Sequence, residues 1–223
     1  MQKKDLKIDF INGINNCLLF NKLDYLNDDI CEKLWSYFLL LNSVNNLKNL
    51  ISKNMTFDDI LDLFCDAIVG SVYLKLSLGA VNIYDVGSGG GFPGIVTSLI
   101  CENNKIFLID SSRKKCSFLR QLKAHLKINN IEIINDRVEN ISPKEFVITK
   151  AALSPKNIHM LKNIIGKKTR IVFFMGQNQE EGITSAMNAL ENFCITKTYY
   201  SVPSLKKRGL LSFVSRETFD KDL

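Results

Sequence analysis

Apolar positions recur at two different periods along this chain, and the period changes near residue 80. Before that point Leu34, Phe38 and Leu41, with Leu39 and Leu40 between them, follow helical spacing. Thr56 is placed to cap a further helix, in whose first turn Asp58 and Asp59 complement the helix dipole. That segment continues as Ile60-Leu61-Asp62-Leu63-Phe64-Cys65, a stripe that reads as core. Residues 1–78 are therefore expected to be a helical extension, with residues 79–223 forming a second unit. The chain has no long Gly/Ser/Pro linker, internal repeat or low-complexity tract, so the two should pack together.

From Val81 onward short apolar runs alternate with amphipathic segments. Val81-Asn82-Ile83-Tyr84 and Lys105-Ile106-Phe107-Leu108-Ile109-Asp110 read as strands, the second apolar throughout, as a strand covered on both faces must be. Between them Ile95–Ile100 reads as a helix. Ser111 or Ser112 can cap the next helix, in which Phe118, Leu119, Leu122 and Leu126 keep the 3.6 period. Ile131–Asn135, Phe146–Lys150 and Arg170–Met175 follow as strands, with helices expected around Pro155–Ile165 and Glu180–Asn192. The end differs, because Phe193–Tyr200 and Leu210–Ser215 are strands separated by Pro203 and a Lys206-Lys207-Arg208 turn, with no helical stretch between them. A mostly parallel, seven-stranded α/β sheet closing on an antiparallel hairpin is expected.

Composition excludes several classes. The 223 residues are 46% hydrophobic and 23% charged, enough for one good core. No apolar run is long enough to span a bilayer, and Met1-Gln2-Lys3-Lys4-Asp5 does not begin a signal peptide, so a cytoplasmic location is expected. The six cysteines are scattered without a Cys-x-x-Cys pair, and only two histidines are present. Reduced, buried thiols are expected, and no metal site. Charge is uneven: residues 1–78 carry net −2 and the remainder net +8. This basic excess suits a polyanion such as RNA, although ordinary solvated lysines would give the same count.

The candidate chemistry lies between the first two strands, in Asp85-Val86-Gly87-Ser88-Gly89-Gly90-Gly91-Phe92-Pro93-Gly94. Glycines there permit positive φ and close backbone approach to a nucleotide-like ligand at a helix N-terminus. Gly89 to Gly94 also satisfies Gly-x-Gly-x-x-Gly, so a nicotinamide dinucleotide competes with S-adenosylmethionine (AdoMet) as the ligand. Three features favour AdoMet. Asp85 ends the strand just ahead of the glycines, the loop follows a helical segment, and too little chain remains for a dehydrogenase's substrate domain.

Asp85, Gly87, Gly89, Gly91 and Phe92 are accordingly expected at the cofactor. Asp110 ends the second strand, where a carboxylate accepts both ribose hydroxyls or caps the next helix. Val138 and Glu139 follow the third strand where an adenine should rest, although Glu139 also suits a helix start. No Asn-Pro-Pro-Tyr or Pro-Cys is present, which argues against amine and pyrimidine-carbon acceptors. A ring nitrogen with a free lone pair needs alignment rather than a general base.

These residues resemble a known family. Asp85 through Ile95, Leu108-Ile109-Asp110-Ser111 with Lys114-Lys115 and Phe118-Leu119, and Arg137-Val138-Glu139 are similar to glucose-inhibited division protein B. That family comprises the bacterial 16S ribosomal RNA methyltransferases G. Weaker echoes are Asn45-Asn46-Leu47, Glu180-Glu181 and Arg208. The resemblance implies a Rossmann-like class I AdoMet-dependent methyltransferase acting on guanine N7 in 16S rRNA of the small ribosomal subunit. It implies cofactor contacts at Gly87, Phe92, Val138, Glu139 and the stretch matching the family's Ser-Arg-Ala, here Thr149-Lys150-Ala151. Lys150, in place of that arginine, keeps the charge without the planar fork, and is the candidate catalytic residue facing RNA. The family's histidine before its Asp-Ser-Leu motif is Leu63 here, and its Leu-Lys-Gly reads Phe174-Met175-Gly176. Methylation of another substrate, or an AdoMet-binding assembly factor with weak catalysis, remains open at this stage. A monomer is expected.

Overall fold

The computed structural model describes residues 3–48, 50–52, 54–150, 155–176, 179–188, 193–204 and 206–215. Three helices come first, α1 (Lys3–Phe20), α2 (Asp28–Lys48) and α3 (Phe57–Ser77). Thr56 begins α3 with a reciprocal capping box: its hydroxyl accepts the Asp59 N–H while Asp59 accepts the Thr56 N–H. The alternating part then runs β1 (Ile83–Val86), α4 (Gly94–Ile100), β2 (Ile106–Ile109), α5 (Arg113–His125) and β3 (Ile131–Ile134). After a short 3₁₀ turn at Val138–Asn140 come β4 (Phe146–Lys150), β5 (Arg170–Met175), α6 (Glu180–Asn188), β6 (Phe193–Ser201) and β7 (Lys207–Ser215).

The seven strands form one sheet in the order β3-β2-β1-β4-β5-β7-β6. The first five are parallel, and β7 runs antiparallel to both β5 and β6. Alternation along β5 shows how the sheet is covered on both faces: Val172 and Phe174 join the core beneath α1 to α5, whereas Ile171, Phe173 and Met175 join Ile183 and Met187 on the other side. On the first face Phe10 packs against Phe38 and Phe64 with ring centroids 5.1 Å away in each case, which ties α1 to α2 and α3.

Two expectations need correction. Residues Pro155–Asn163 form a 3₁₀ rather than an α-helix. Ile158, Leu161 and Ile164 are fully buried, and their spacing of three matches three residues per turn. The final strand begins at Lys207 rather than Leu210, because Ser201 and Tyr200 pair with Lys207 and Arg208, so neither basic residue lies in the turn. Residues 189–192, expected as the end of a helix, lie outside the described residues. Ser112 caps α5, and all six cysteines are free thiols, five of them buried. Among the described residues, no helix is long and apolar enough to cross a membrane.

Candidate active site

The carboxyl ends of β1, β2 and β4 open onto a cavity of about 560 Å³, at the edge where doubly wound sheets take ligands. Its floor is the β1–α4 loop. Gly87, Gly89 and Gly91 have φ of 75°, 56° and 104°, a left-handed region that side chains penalise. The loop is anchored from both ends, with Gly87 N–H donating to Ile109 carbonyl at 2.8 Å and Ile95 N–H to Gly91 carbonyl at 2.8 Å.

Asp110 joins this loop to the next. One carboxylate oxygen accepts the Gly89 N–H at 3.0 Å and the other the Ser112 N–H at 2.8 Å, with Lys115 Nζ at 3.8 Å. Each oxygen retains a lone pair for a ligand hydroxyl. The opposite side carries Asp136, Arg137, Val138 and Glu139, and the Glu139 carbonyl accepts Asn163 Nδ2–H at 2.6 Å.

Of the residues expected at the cofactor, Gly87, Gly89, Phe92, Asp110, Val138, Glu139 and Lys150 all line the cavity. Asp85 and Gly91 do not. Asp85 is fully buried behind the loop and accepts the Gly94 N–H at 3.1 Å; among the described residues its second oxygen has no partner. Burial pushes its pKa up to about 7. At Gly91 a Cβ would fall 2.7 Å from the Tyr37 hydroxyl and 2.8 Å from Ile95 Cγ1.

Lys150 does not stand on an open surface. Its side chain is 12% exposed, and Nζ lies 2.5 Å from Oδ2 of Asp66, a residue of α3. The contact is ionic rather than an aligned hydrogen bond, since among the described residues Nζ has no hydrogen-bond partner of regular geometry. Asp66 Oδ1 accepts the Tyr200 hydroxyl at 2.7 Å. Ala151 lies outside the described residues.

Sequence reasoning missed the contribution of the helical extension. Leu50, Ile51, Ser52 and Met55, between α2 and α3, line the cavity, and Asn45 Oδ1 fixes that connector by accepting the Leu50 and Ile51 N–H groups at 3.0 Å. The only signal was the Asn45-Asn46-Leu47 echo. Tyr37 of α2 stacks on Phe92 with centroids 5.0 Å apart and donates its hydroxyl to the Gly90 carbonyl at 2.6 Å.

A second cavity, of about 250 Å³, adjoins the first and shares Met55, Leu63 and Lys150 with it. Among the described residues no group of three His, Cys, Asp or Glu side chains is arranged to hold a metal ion.

The donor set fits a nucleoside cofactor: a bare glycine backbone, a carboxylate at the end of β2 and apolar walls from Ile109, Val138 and Met160. Fold and site together define a Rossmann-like class I AdoMet-dependent methyltransferase. Solved structures agree on the fold. A SAM-dependent methyltransferase from Aquifex aeolicus aligns over 78% of this chain and 97% of its own, with TM-score 0.55 and 15% identity. Magnesium protoporphyrin IX methyltransferase from Synechocystis, solved with bound SAM, covers 86% of this chain and all of its own, with TM-score 0.59 and 14% identity.

The family is narrower. The family model described as rRNA small subunit methyltransferase G (GidB) matches residues 30–211, and the chain belongs to that family. The ribosomal RNA small subunit methyltransferase G of Borreliella burgdorferi is 31% identical over 171 residues, covering 75% of this chain and 81% of its own length. That of Syntrophus aciditrophicus is 29% identical over 179 residues, covering 76% and 73%.

Proposed function

We propose that this enzyme methylates N7 of a guanine in 16S rRNA of the small ribosomal subunit. The observation that carries the reading is the lock between loop and carboxylate, Gly89 N–H on Asp110, in a chain whose residues 30–211 match a small-subunit rRNA methyltransferase family. When bound, AdoMet supplies an electrophilic methyl group, which a ring-nitrogen lone pair takes while the C–S electron pair stays on sulfur and no proton is released.

The protein's part is therefore to position and to desolvate. Gly87 and Gly89 present bare backbone, Asp110 holds the ribose hydroxyls, and Val138 with Glu139 frames the adenine. Lys150 is a fixed cation at the acceptor side, held by Asp66. Lys206 and Lys207 are exposed and suit RNA phosphates, contacts that orient without reading sequence. Residues 1–78 act as a helical extension that completes the wall of the catalytic unit, 79–223. The enzyme works as a cytoplasmic monomer without a metal ion.

The test is incorporation of tritiated methyl from AdoMet into small-subunit particles, followed by nucleotide mapping. N7-methylguanine in 16S rRNA is expected. Label confined to any other acceptor would overturn the assignment.

A further inference from the structure

We propose that the second cavity reads the acceptor guanine, with Lys150 donating to O6 and Asp62 accepting from N1–H and the 2-amino group. The proposal rests on the methyltransferase reading above and extends it by assigning base selection to α3, a helix of the N-terminal extension.

An acceptor base must approach the cofactor across a shared wall. Of the three cavities described, the 250 Å³ one shares Met55, Leu63 and Lys150 with the cofactor cavity. The third, bounded by Glu180, Glu181, Tyr199 and Lys207 among others, shares no residue with it. The second cavity has less than half the volume of the first, a size for one planar heterocycle rather than a nucleoside cofactor.

Polarity then fixes orientation. In guanine, N7 and O6 are neighbours on one edge, while N1–H and the amino group lie on the other. With N7 turned to the shared wall, O6 comes beside Lys150, the one cation in that wall. The opposite edge faces the residues the cofactor cavity lacks, among them the cations Lys206 and Arg208 and the carboxylate of Asp62, which is the acceptor that edge requires. Asp62 and Asp66 are four apart on α3 and so share a helix face. Asp66 holds the Lys150 ammonium in place. Asp62 is 4% exposed and held in turn: its oxygens accept the Ser204 N–H at 3.1 Å and the Ser204 hydroxyl, with Lys206 Nζ at 4.0 Å. Each of its oxygens keeps accepting capacity.

This arrangement discriminates. Adenine would present an amino group to Lys150 and a bare N1 to the Asp62 carboxylate, two repulsive contacts where guanine makes attractive ones. Methylation also leaves the purine cationic, and a fixed carboxylate on its far edge favours that charge as it develops. Asp62 and Lys150 are thus specificity residues, and Asp66 and Ser204 position them.

The experiment uses the full chain with small-subunit particles, first mapping the nucleotide methylated by the wild type. Particles are then reconstituted with guanosine or inosine at that nucleotide, inosine lacking only the 2-amino group. We expect the wild type to lose roughly tenfold in kcat/KM on inosine, the size of one base-edge contact. Asp62→Asn should lose roughly 10- to 100-fold on guanosine, discriminate little against inosine, and bind AdoMet within twofold of wild type by calorimetry. Equal wild-type rates on guanosine and inosine would overturn the proposal even if the variant failed to fold. Asp62→Asn within threefold of wild type on guanosine would overturn it as well. No incorporation by the wild type into any particle would instead overturn the functional reading on which it stands.

Discussion

Lys150 at the end of β4 and Asp66 in the middle of α3 meet at 2.5 Å between the two cavities, in surroundings that leave their side chains 12% and 3% exposed. The pair joins α3 of the helical extension to the sheet where the two cavities adjoin. Tyr200 of β6 completes it through its hydroxyl on Asp66. Three separate stretches of sequence are thereby locked around one charge pair.

Breaking one side of such a pair strands a buried charge. Lys150→Met is expected to destabilise the fold by about 3 kcal/mol, because the buried Asp66 carboxylate loses its paired cation and keeps only the Tyr200 hydroxyl. Lys150→Arg, which retains the cation, should remain within about 1 kcal/mol of wild type. Urea denaturation of the three proteins at neutral pH checks this, and equal midpoints for Lys150→Met and wild type would contradict it.

Asp110 braces the loop, and the proposed function gives it the ligand as well. Asp110→Ala removes the carboxylate proposed to hold the ribose hydroxyls and frees the Gly89 and Ser112 N–H groups. With hydrogen bonds to a charged group worth about 1.5–3 kcal/mol each, AdoMet affinity should fall by roughly 100-fold. Calorimetry with purified protein measures it, and undiminished binding would remove Asp110 from the cofactor site.

Much of this was readable because it is local. The glycine loop, the acid ending β2 and the Thr56 cap each announce themselves within ten residues, since turn geometry and capping depend on near neighbours. The uninterrupted apolar run of β2 likewise required a two-sided sheet. What stayed hidden depends on distance in sequence. Nothing around Tyr37 or Leu50 marks them as neighbours of Gly90, more than thirty residues away. Asp62 stood within a stripe that read as core, and only the hairpin of β6 and β7 brings Ser204 onto it and Tyr200 onto Asp66. Asp85 misled in the opposite direction: its place before the glycines suggested contact with the ligand, yet full burial makes it a brace for the turn.

Tyr37 tests whether the extension supports the loop. Tyr37→Phe keeps the stacking on Phe92 but removes the hydroxyl that donates to the Gly90 carbonyl. The buried carbonyl is left unsatisfied, at a cost of about 1–3 kcal/mol. The melting temperature should drop and AdoMet affinity weaken together, because Gly90 lines the cofactor cavity. Unchanged values of both would mean that the loop holds its shape without α2.

Asp85 gives the enzyme a pH dependence of unusual sign. Burial, aided by repulsion from Asp110, lifts its pKa from the ordinary 3.8 to about 7, against the lowering effects of the Ser88 hydroxyl and the Gly94 N–H. Below pH 3.8 both folded and unfolded chains hold the proton, so Asp85 contributes nothing. Between 3.8 and 7 the folded chain keeps a proton that the unfolded chain releases, so stability declines as pH rises, by about 1.4 kcal/mol per unit. Above pH 7 the penalty is complete, at about 4 kcal/mol. Asp85→Asn cannot ionise, and its amide oxygen can still accept the Gly94 N–H. The stability of wild type relative to this variant should therefore fall steadily from pH 4 to 7 and then level off. Urea denaturation of both proteins at unit steps from pH 5 to 8 measures the difference. Parallel profiles across that range would show that the carboxylate stays ionised in the folded enzyme, held by the turn it braces.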